Sequence, residues 1–90
     1  MDLEFRWNAW NIDHIGDHGI EPAEAEYIVK HARRPYPKRT SATKWLVRGA
    51  LPSGRCLQVI YLIDPEDTIY VIHARPLTQR ERRRYFKGLQ

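Results

Sequence analysis

The chain has 90 residues, of which 42% are hydrophobic and 29% are charged, and its formal net charge at pH 7 is +4. That length suits one domain, residues 1–90, because two halves would each be too short to bury a stable core. The single cysteine, Cys56, excludes an internal disulfide and a cysteine-based metal site, so we expect a reducing, cytoplasmic setting. No apolar run is long enough for a membrane span, and the acidic first residues are unlike a secretion signal.

Charge is distributed unevenly along the chain. Residues 1–29 contain seven acidic side chains and one arginine, whereas residues 30–48 contain seven basic side chains and no acidic one. Residues 79–90 contain five basic side chains and one acidic one. Two basic blocks of this kind attract phosphate groups or an acidic protein, and composition alone does not choose between these partners.

Two helices are predicted in the first third of the chain, after a short strand-like opening at residues 3–6. Asn8 suits the N-cap of the first helix, and Gly19 suits the left-handed turn that ends it. Pro22 suits the first turn of the second helix, and Pro35 stops it. The side chains that recur at helical spacing are Trp7, Trp10, His14, Ile15 and His18, then Ala25, Ile28, Val29 and Ala32.

The second half of the chain predicts strands at residues 44–51, 55–64 and 68–75, separated by turn sequences at 52–54 and 64–67. Pro37 keeps the segment that follows it irregular or at a sheet edge. Thr78 and Glu81 form a capping box for a last helix that ends near Gly88. We therefore predict an α+β fold with two N-terminal helices, an antiparallel meander of three or four strands, and a C-terminal helix.

Motifs of most cofactor enzymes are absent from the sequence, which has no glycine-rich phosphate loop, nucleophile elbow or zinc-spaced set of cysteines and histidines. Four histidines, many arginines and the aromatic residues among them suit phosphate chemistry and base stacking. RNA cleavage needs a proton acceptor, a proton donor and a cation that stabilises the phosphate, but no metal. The composition therefore favours a ribonuclease site without a cofactor.

His73 and Arg75 are the sharpest local signal, because residues two apart on a strand share one face. An imidazole that titrates near neutrality then lies beside a guanidinium that can bind phosphate with two hydrogen bonds. Ile69 and Val71 line the same predicted face. This favours an alternative in which His73 is a hydrogen-bonded histidine at the core edge and Arg75 pairs with Glu81.

Other candidates also have structural alternatives. Arg48 lies alongside Lys44 on a predicted strand, where both side chains suit either phosphate binding or a solvated face. His14 and His18 are four apart on a helix, as two metal ligands can be, but no third ligand is evident and we expect no metal site.

The C-terminal helix contains a run of basic side chains that suits either the RNA backbone or a solvated face, and Glu81 and Tyr85 can join part of it in an internal clasp. We expect the three tryptophans to pack in the core rather than to stack with bases, and Cys56 to be a small buried hydrophobe. The candidate RNA-binding residues are Lys44, Arg80, Arg82, Arg83, Arg84 and Lys87.

Three motifs follow one another along the chain. The first consists of Trp7, Asn8, Asn11, Ile12, His14, Ile15, His18, Gly19 and Ile20. The second consists of Pro22, Glu24 and Ala25, and the third of Ile72, His73, Ala74, Arg75, Pro76, Leu77, Thr78, Glu81, Arg82, Arg83 and Tyr85. Together, from Phe5 to Tyr85, they resemble the BrnT family of toxins from bacterial type II toxin–antitoxin pairs. The chain departs from that family at position 73, commonly a small hydroxyl residue, and at Asn8 and Asn11.

The resemblance implies a RelE-like fold, a ribonuclease activity that halts translation, and inhibition by a cognate BrnA-like ribbon-helix-helix antitoxin. It also implies that Arg48 and Arg75 match the strand arginines of the family. The recurrent helix residues of the family are matched by His18, Glu81, Arg82 and Tyr85.

Two main hypotheses follow. In the first, Arg75 and Arg48 hold the scissile phosphate, His73 or Tyr85 moves protons, and the C-terminal arginines bind the RNA backbone. In the second, a non-enzymatic module docks an acidic partner or RNA on its basic surface. A DNA-binding repressor is disfavoured, because no basic recognition helix directly follows another helix. The first hypothesis requires the cations of the last strand and the adjoining hairpin to gather in one site, and internal salt links between them would favour the second.

Overall fold

The computed structural model describes residues 3–89. Two helices come first, four antiparallel strands follow, and a third helix comes last. The helices are α1 (Ala9–Gly16), α2 (Pro22–Lys30) and α3 (Gln79–Gly88), and the strands are β1 (Lys38–Arg39), β2 (Lys44–Ala50), β3 (Cys56–Ile63) and β4 (Ile69–Pro76). The predicted α+β fold is therefore confirmed, and the segment after Pro37 provides the short fourth strand.

Local sequence determines where the helices begin. The side chains of Asn8 and Asn11 each accept a hydrogen bond from the other's backbone N–H at the start of α1. Thr78 and Glu81 do the same at the start of α3, as the capping-box pattern predicts. Gly19, with φ of +71°, turns the chain from α1 towards α2 in a backbone conformation that only glycine adopts without strain.

The sheet has the order β1, β2, β3, β4, and every neighbouring pair is antiparallel. β3 has a partner on each side, as its nearly all-apolar sequence predicts. The expected opening strand is reduced to a single bridge between Phe5 and Ile69, because the helix cap at Asn8 leaves too few residues for a ladder.

One face of the sheet, covered by α1 and α2, contains the main core. Its fully buried side chains include Ile15, Ile28, Val47, Leu57, Val59, Val71 and Ala74. Burying each large aliphatic side chain stabilises the fold by about 1.5 to 3 kcal/mol, so this face supplies most of the driving force for folding. A smaller cluster of Cys56, Leu77 and Tyr85 lies on the other face beneath α3.

A bulge at Ile72 changes the direction of the side chains at the end of β4. Ile72 has no residue opposite it on β3, although its neighbours on β4 are paired. Val71 and Ala74 are therefore both buried in the main core, three positions apart, while His73 and Arg75 lie on the opposite face. The prediction that His73 and Arg75 share a face with Val71 is wrong, because one unpaired residue inverts the alternation.

Trp10 is 55% exposed, contrary to the expectation that it packs in the core. It lies on the outer side of α1, where its ring stacks on His14 and Tyr70 with centroid distances of 4.9 and 6.3 Å. Trp7 and Trp45 are half-buried against the main core, as predicted. Among residues 3–89, no helix combines the length and apolar composition that a membrane span requires.

Candidate nucleic-acid interface

Three strands bring polar side chains together on the face beneath α3. Arg48 of β2 lies opposite Gln58 of β3, which lies opposite Arg75 of β4. From α3, Glu81 accepts two hydrogen bonds from Arg75, at 2.7 and 2.8 Å, and one from Arg48 at 3.0 Å. Arg48 also donates to Gln58 at 3.0 Å. We call these four residues the arginine cluster.

The two guanidinium groups of the arginine cluster share one carboxylate, Glu81. The Arg75 guanidinium and the backbone N–H of Thr78 hold the pKa of the Glu81 carboxyl well below its usual range, and Glu81 in turn raises the pKa of Arg75. The Glu81 side chain is 19% exposed and that of Arg75 is 29% exposed, so solvent screens this pair only partly. The predicted alternative that Arg75 pairs with Glu81 is confirmed.

His73 lies among other imidazoles rather than beside a phosphate-binding group. Its ring centroid is 5.7 Å from that of His18 and 6.3 Å from that of His14. Burial lowers the pKa of His73, and the positive charges of His18, Arg75 and His14 lower it further. The structure thus adds a third imidazole to the predicted pair, of which His14 lies on α1 and His18 lies in the turn that follows it. Even so, the part of the chain that the structure describes contains no group of three side chains placed to hold a metal ion.

A cleft of about 300 Å³ opens between residues 35–38, β2 and α3. We call it the basic cleft, and its polar and apolar walls include Tyr36, Lys38, Arg48, Arg84, Tyr85 and Leu89. Three of these residues are cations, and none of the carboxylates within residues 3–89 lines the cleft. The arrangement therefore concentrates positive charge in a concave site of the size that a phosphodiester group needs.

The cations of the basic cleft keep donors available. Lys38 Nζ lies 5.4 Å from the centroid of the Tyr36 ring, which lies 6.4 Å from the ring centroid of Tyr85. Within residues 3–89, neither Lys38 nor Arg84 forms a salt bridge. Arg48 uses Nε and Nη2 inside the arginine cluster, which leaves Nη1 for a ligand in the cleft.

Tyr85 is the buried phenol at the back of this site. Burial raises its pKa, and the nearby Arg33 lowers it by less. The phenol therefore stays protonated at neutral pH, which suits it to donate a proton rather than to accept one.

The other predicted RNA-binding residues lie outside the basic cleft. Lys44 is exposed at the start of β2, and Arg80 and Lys87 are exposed on α3. Arg82 and Arg83 line a separate hollow on the outer side of α3. The structure thus brings together Arg48, Tyr85 and Arg84 from the predicted set.

Sequence analysis missed two residues of the basic cleft, Tyr36 and Lys38. They belong to a segment without helical or strand periodicity, so no pattern placed their side chains on a face. The available signal was local: aromatic and basic residues alternate with Pro35 and Pro37 inside the most basic block of the chain.

Comparison with known proteins identifies no relative, because no family model, curated protein or solved structure matches the chain. The resemblance to BrnT toxins therefore depends on the sequence motifs and stays a prediction.

Proposed function

We propose that this protein is an endoribonuclease of the toxin type, and that the basic cleft binds the scissile phosphate of RNA. One observation supports this above the others: three cations and two phenols meet in one concave site, which no carboxylate of residues 3–89 lines. Guanidinium and ammonium groups bind phosphate oxygens with charge-assisted hydrogen bonds. A carboxylate-free cleft also avoids repelling the RNA backbone.

The residues of the basic cleft suit cleavage by internal attack. The ribose 2′-oxygen bonds to phosphorus and releases its proton to water, while the bond between phosphorus and the 5′-oxygen breaks. Arg48 and Lys38 stabilise the extra negative charge on the phosphate as this happens. Tyr85 donates its proton to the departing 5′-oxygen and recovers one from solvent. The products are a 2′,3′-cyclic phosphate and a 5′-hydroxyl.

Arg75 and His73 have different roles in this proposal from those that the sequence predicted. Arg75 makes two hydrogen bonds to Glu81, and Glu81 holds Nη2 of Arg48. Arg75 is therefore a positioning residue, acting on the phosphate through Glu81 and Arg48. His73 packs against the imidazole rings of His14 and His18 and has no part in the proposed step.

The second candidate function is docking without cleavage, either of RNA or of an acidic protein. The arginine cluster favours it, because internal salt links occupy Nη1 and Nη2 of Arg75 and Nη2 of Arg48. No imidazole lines the basic cleft, so a strong proton acceptor for the 2′-hydroxyl group is missing among residues 3–89.

Incubating the purified protein with labelled RNA in EDTA distinguishes these functions. We expect cleavage with 2′,3′-cyclic phosphate ends, and loss of most activity in Lys38→Gln. Lys30→Gln, which removes the same charge from exposed helix α2, is the matched control and should cleave normally. Intact RNA at protein excess, together with retained binding, would contradict the nuclease and support docking.

We also propose, from the resemblance, that a ribbon-helix-helix antitoxin inhibits this protein. Expression in a bacterial host should arrest growth, and coexpression of the adjacent gene should restore it. Unaffected growth together with intact RNA would count against a toxin.

A further inference from the structure

A second cavity, of about 420 Å³, lies beside the basic cleft and shares Tyr85 and Leu89 with it. It is enclosed by the C-terminal end of α2, the end of β2 and the last turns of α3. The residues that give it chemical character are Tyr27, His31, Arg33, Tyr85 and Phe86. We call it the aromatic cavity, and the proposed cleavage step uses only Tyr85 from it.

The walls of the aromatic cavity suit a flat ring. Tyr27, Tyr85 and Phe86 present aromatic rings, and Ile28 adds an apolar surface. Phe86 is 44% exposed although it is apolar, so its ring is available at the rim for stacking. Base stacking on aromatic side chains of this kind does not depend on base identity, because every base has a π face.

His31 and Arg33 give the aromatic cavity one acceptor and one set of donors. His31 Nδ1 lies 2.9 Å from the backbone carbonyl oxygen of Tyr27. A carbonyl only accepts hydrogen bonds, so this contact favours the tautomer with the proton on Nδ1, in which Nε2 is the hydrogen-bond acceptor. The His31 ring also stacks on Tyr27 with a centroid distance of 3.9 Å, which fixes its plane. The Arg33 guanidinium supplies donors only.

We infer that the aromatic cavity binds the base of the nucleotide whose phosphate occupies the basic cleft. The inference rests on the proposed RNA substrate, and it adds a base-binding site to the phosphate site. A base has a π face for Phe86, an N–H that His31 Nε2 can accept, and a carbonyl or ring nitrogen that Arg33 can bind. The shared wall at Tyr85 gives the two sites the adjacency that one nucleotide requires.

Calorimetric titration of the full chain with the four nucleoside 3′-monophosphates and with inorganic phosphate tests this inference. We expect the nucleotides to bind at least about tenfold more tightly than inorganic phosphate, as stacking of one base provides. Phe86→Ala should abolish most of that difference without changing the affinity for inorganic phosphate. Trp10→Ala, which removes an exposed aromatic ring far along the chain, is the control and should keep the difference.

Two results would overturn the inference: equal affinity for inorganic phosphate and every nucleotide, or an unchanged preference in Phe86→Ala. His31→Ala provides a second variant in case Phe86→Ala fails to fold, as judged by circular dichroism, and its preference for nucleotides should also fall. Tight nucleotide binding by a protein that leaves RNA intact would contradict the proposed nuclease while supporting the base-binding site.

Discussion

The arginine cluster and the basic cleft share Arg48 but differ in how their charges are satisfied. In the arginine cluster, Glu81 accepts three hydrogen bonds from two half-buried arginines. In the basic cleft, Lys38 and Arg84 are exposed cations without a salt bridge in residues 3–89. The difference suits the first group to holding the fold and the second to the phosphate binding that we propose.

This comparison shows why a count of basic residues does not locate a binding site. Arginines of both groups are candidates for phosphate binding by residue type, and the position of one carboxylate, Glu81, separates them. A guanidinium nitrogen that already donates to a carboxylate must break that contact before it can bind phosphate, whereas a nitrogen without a protein partner gives up only hydration. Substitutions in the arginine cluster and in the basic cleft should therefore have different effects on stability and on RNA affinity.

The largest effect is expected for Glu81→Gln, which removes the charge that two arginines share. We expect the free energy of unfolding to fall by about 2 kcal/mol, because breaking a partly buried ion pair leaves both arginines without compensation. For a domain of this size, that corresponds to a melting temperature lower by roughly 10 °C. Thermal denaturation followed by circular dichroism measures the change.

The matched control for that variant is Lys38→Gln, which also removes one charge but from the basic cleft. We expect its stability to stay within about 0.5 kcal/mol of the wild type, as for most exposed side chains. Equal losses of stability in the two variants would show that the arginine cluster and the basic cleft do not differ in this way.

For RNA affinity, in contrast to stability, we expect the larger effect from a variant in the basic cleft. Arg84→Gln should weaken binding by about tenfold, as the loss of one charge-assisted hydrogen bond does, and should reduce the salt dependence by about one phosphate contact. Arg80→Gln, a change of the same type outside the cleft on the same helix, should weaken binding less. Fluorescence anisotropy with labelled RNA at several salt concentrations measures both effects, and equal losses would argue against the cleft as the RNA site.

Much of the fold was predictable because its signals are local. The N-cap at Asn8, the capping box at Thr78, the turn at Gly19 and the apolar sequence of β3 each act within a few residues, and the structure confirms them. The bulge at Ile72 was not predictable from alternation, because it depends on the register with another strand. The unpaired residue Ile72 determines on which face of the sheet His73 lies.

The candidate site was less predictable than the fold. Arg48 and Tyr85 were identified by residue type, but their separation from Arg75 depends on where α3 places Glu81. Tyr36 and Lys38 come from a segment without sequence periodicity, whose side-chain directions follow from the short pairing of β1 with β2 and from tertiary packing. Residue type therefore identified candidate phosphate-binding and proton-donating side chains, whereas tertiary contacts determined which cations have no carboxylate partner among residues 3–89.

A smaller effect is expected for the pH dependence of stability at His73. Because its pKa is lowered in the folded state, the unfolded chain takes up the proton first as the pH falls below about 6.5. Stability should therefore decrease between about pH 7 and pH 5, and His73→Gln should flatten that decrease.

The lowered pKa of Glu81 acts in a separate window. Its contribution to stability is complete above the unfolded-state pKa of about 4.3 and is lost below it. Chemical denaturation at a series of pH values resolves the two windows. A decrease between pH 7 and pH 5 that is unchanged in His73→Gln would assign that decrease to another group.

The smallest effect is expected for Trp10→Ala. Trp10 stacks on His14 and Tyr70 but is 55% exposed, and it lies in the acidic part of the chain. Loss of the stacking contacts should cost about 1 kcal/mol or less of stability. RNA affinity should not change, because the residues that line the basic cleft come from other elements. A weaker RNA complex in this variant, measured by anisotropy, would extend the RNA path onto α1 and show that the basic cleft is only part of the RNA site.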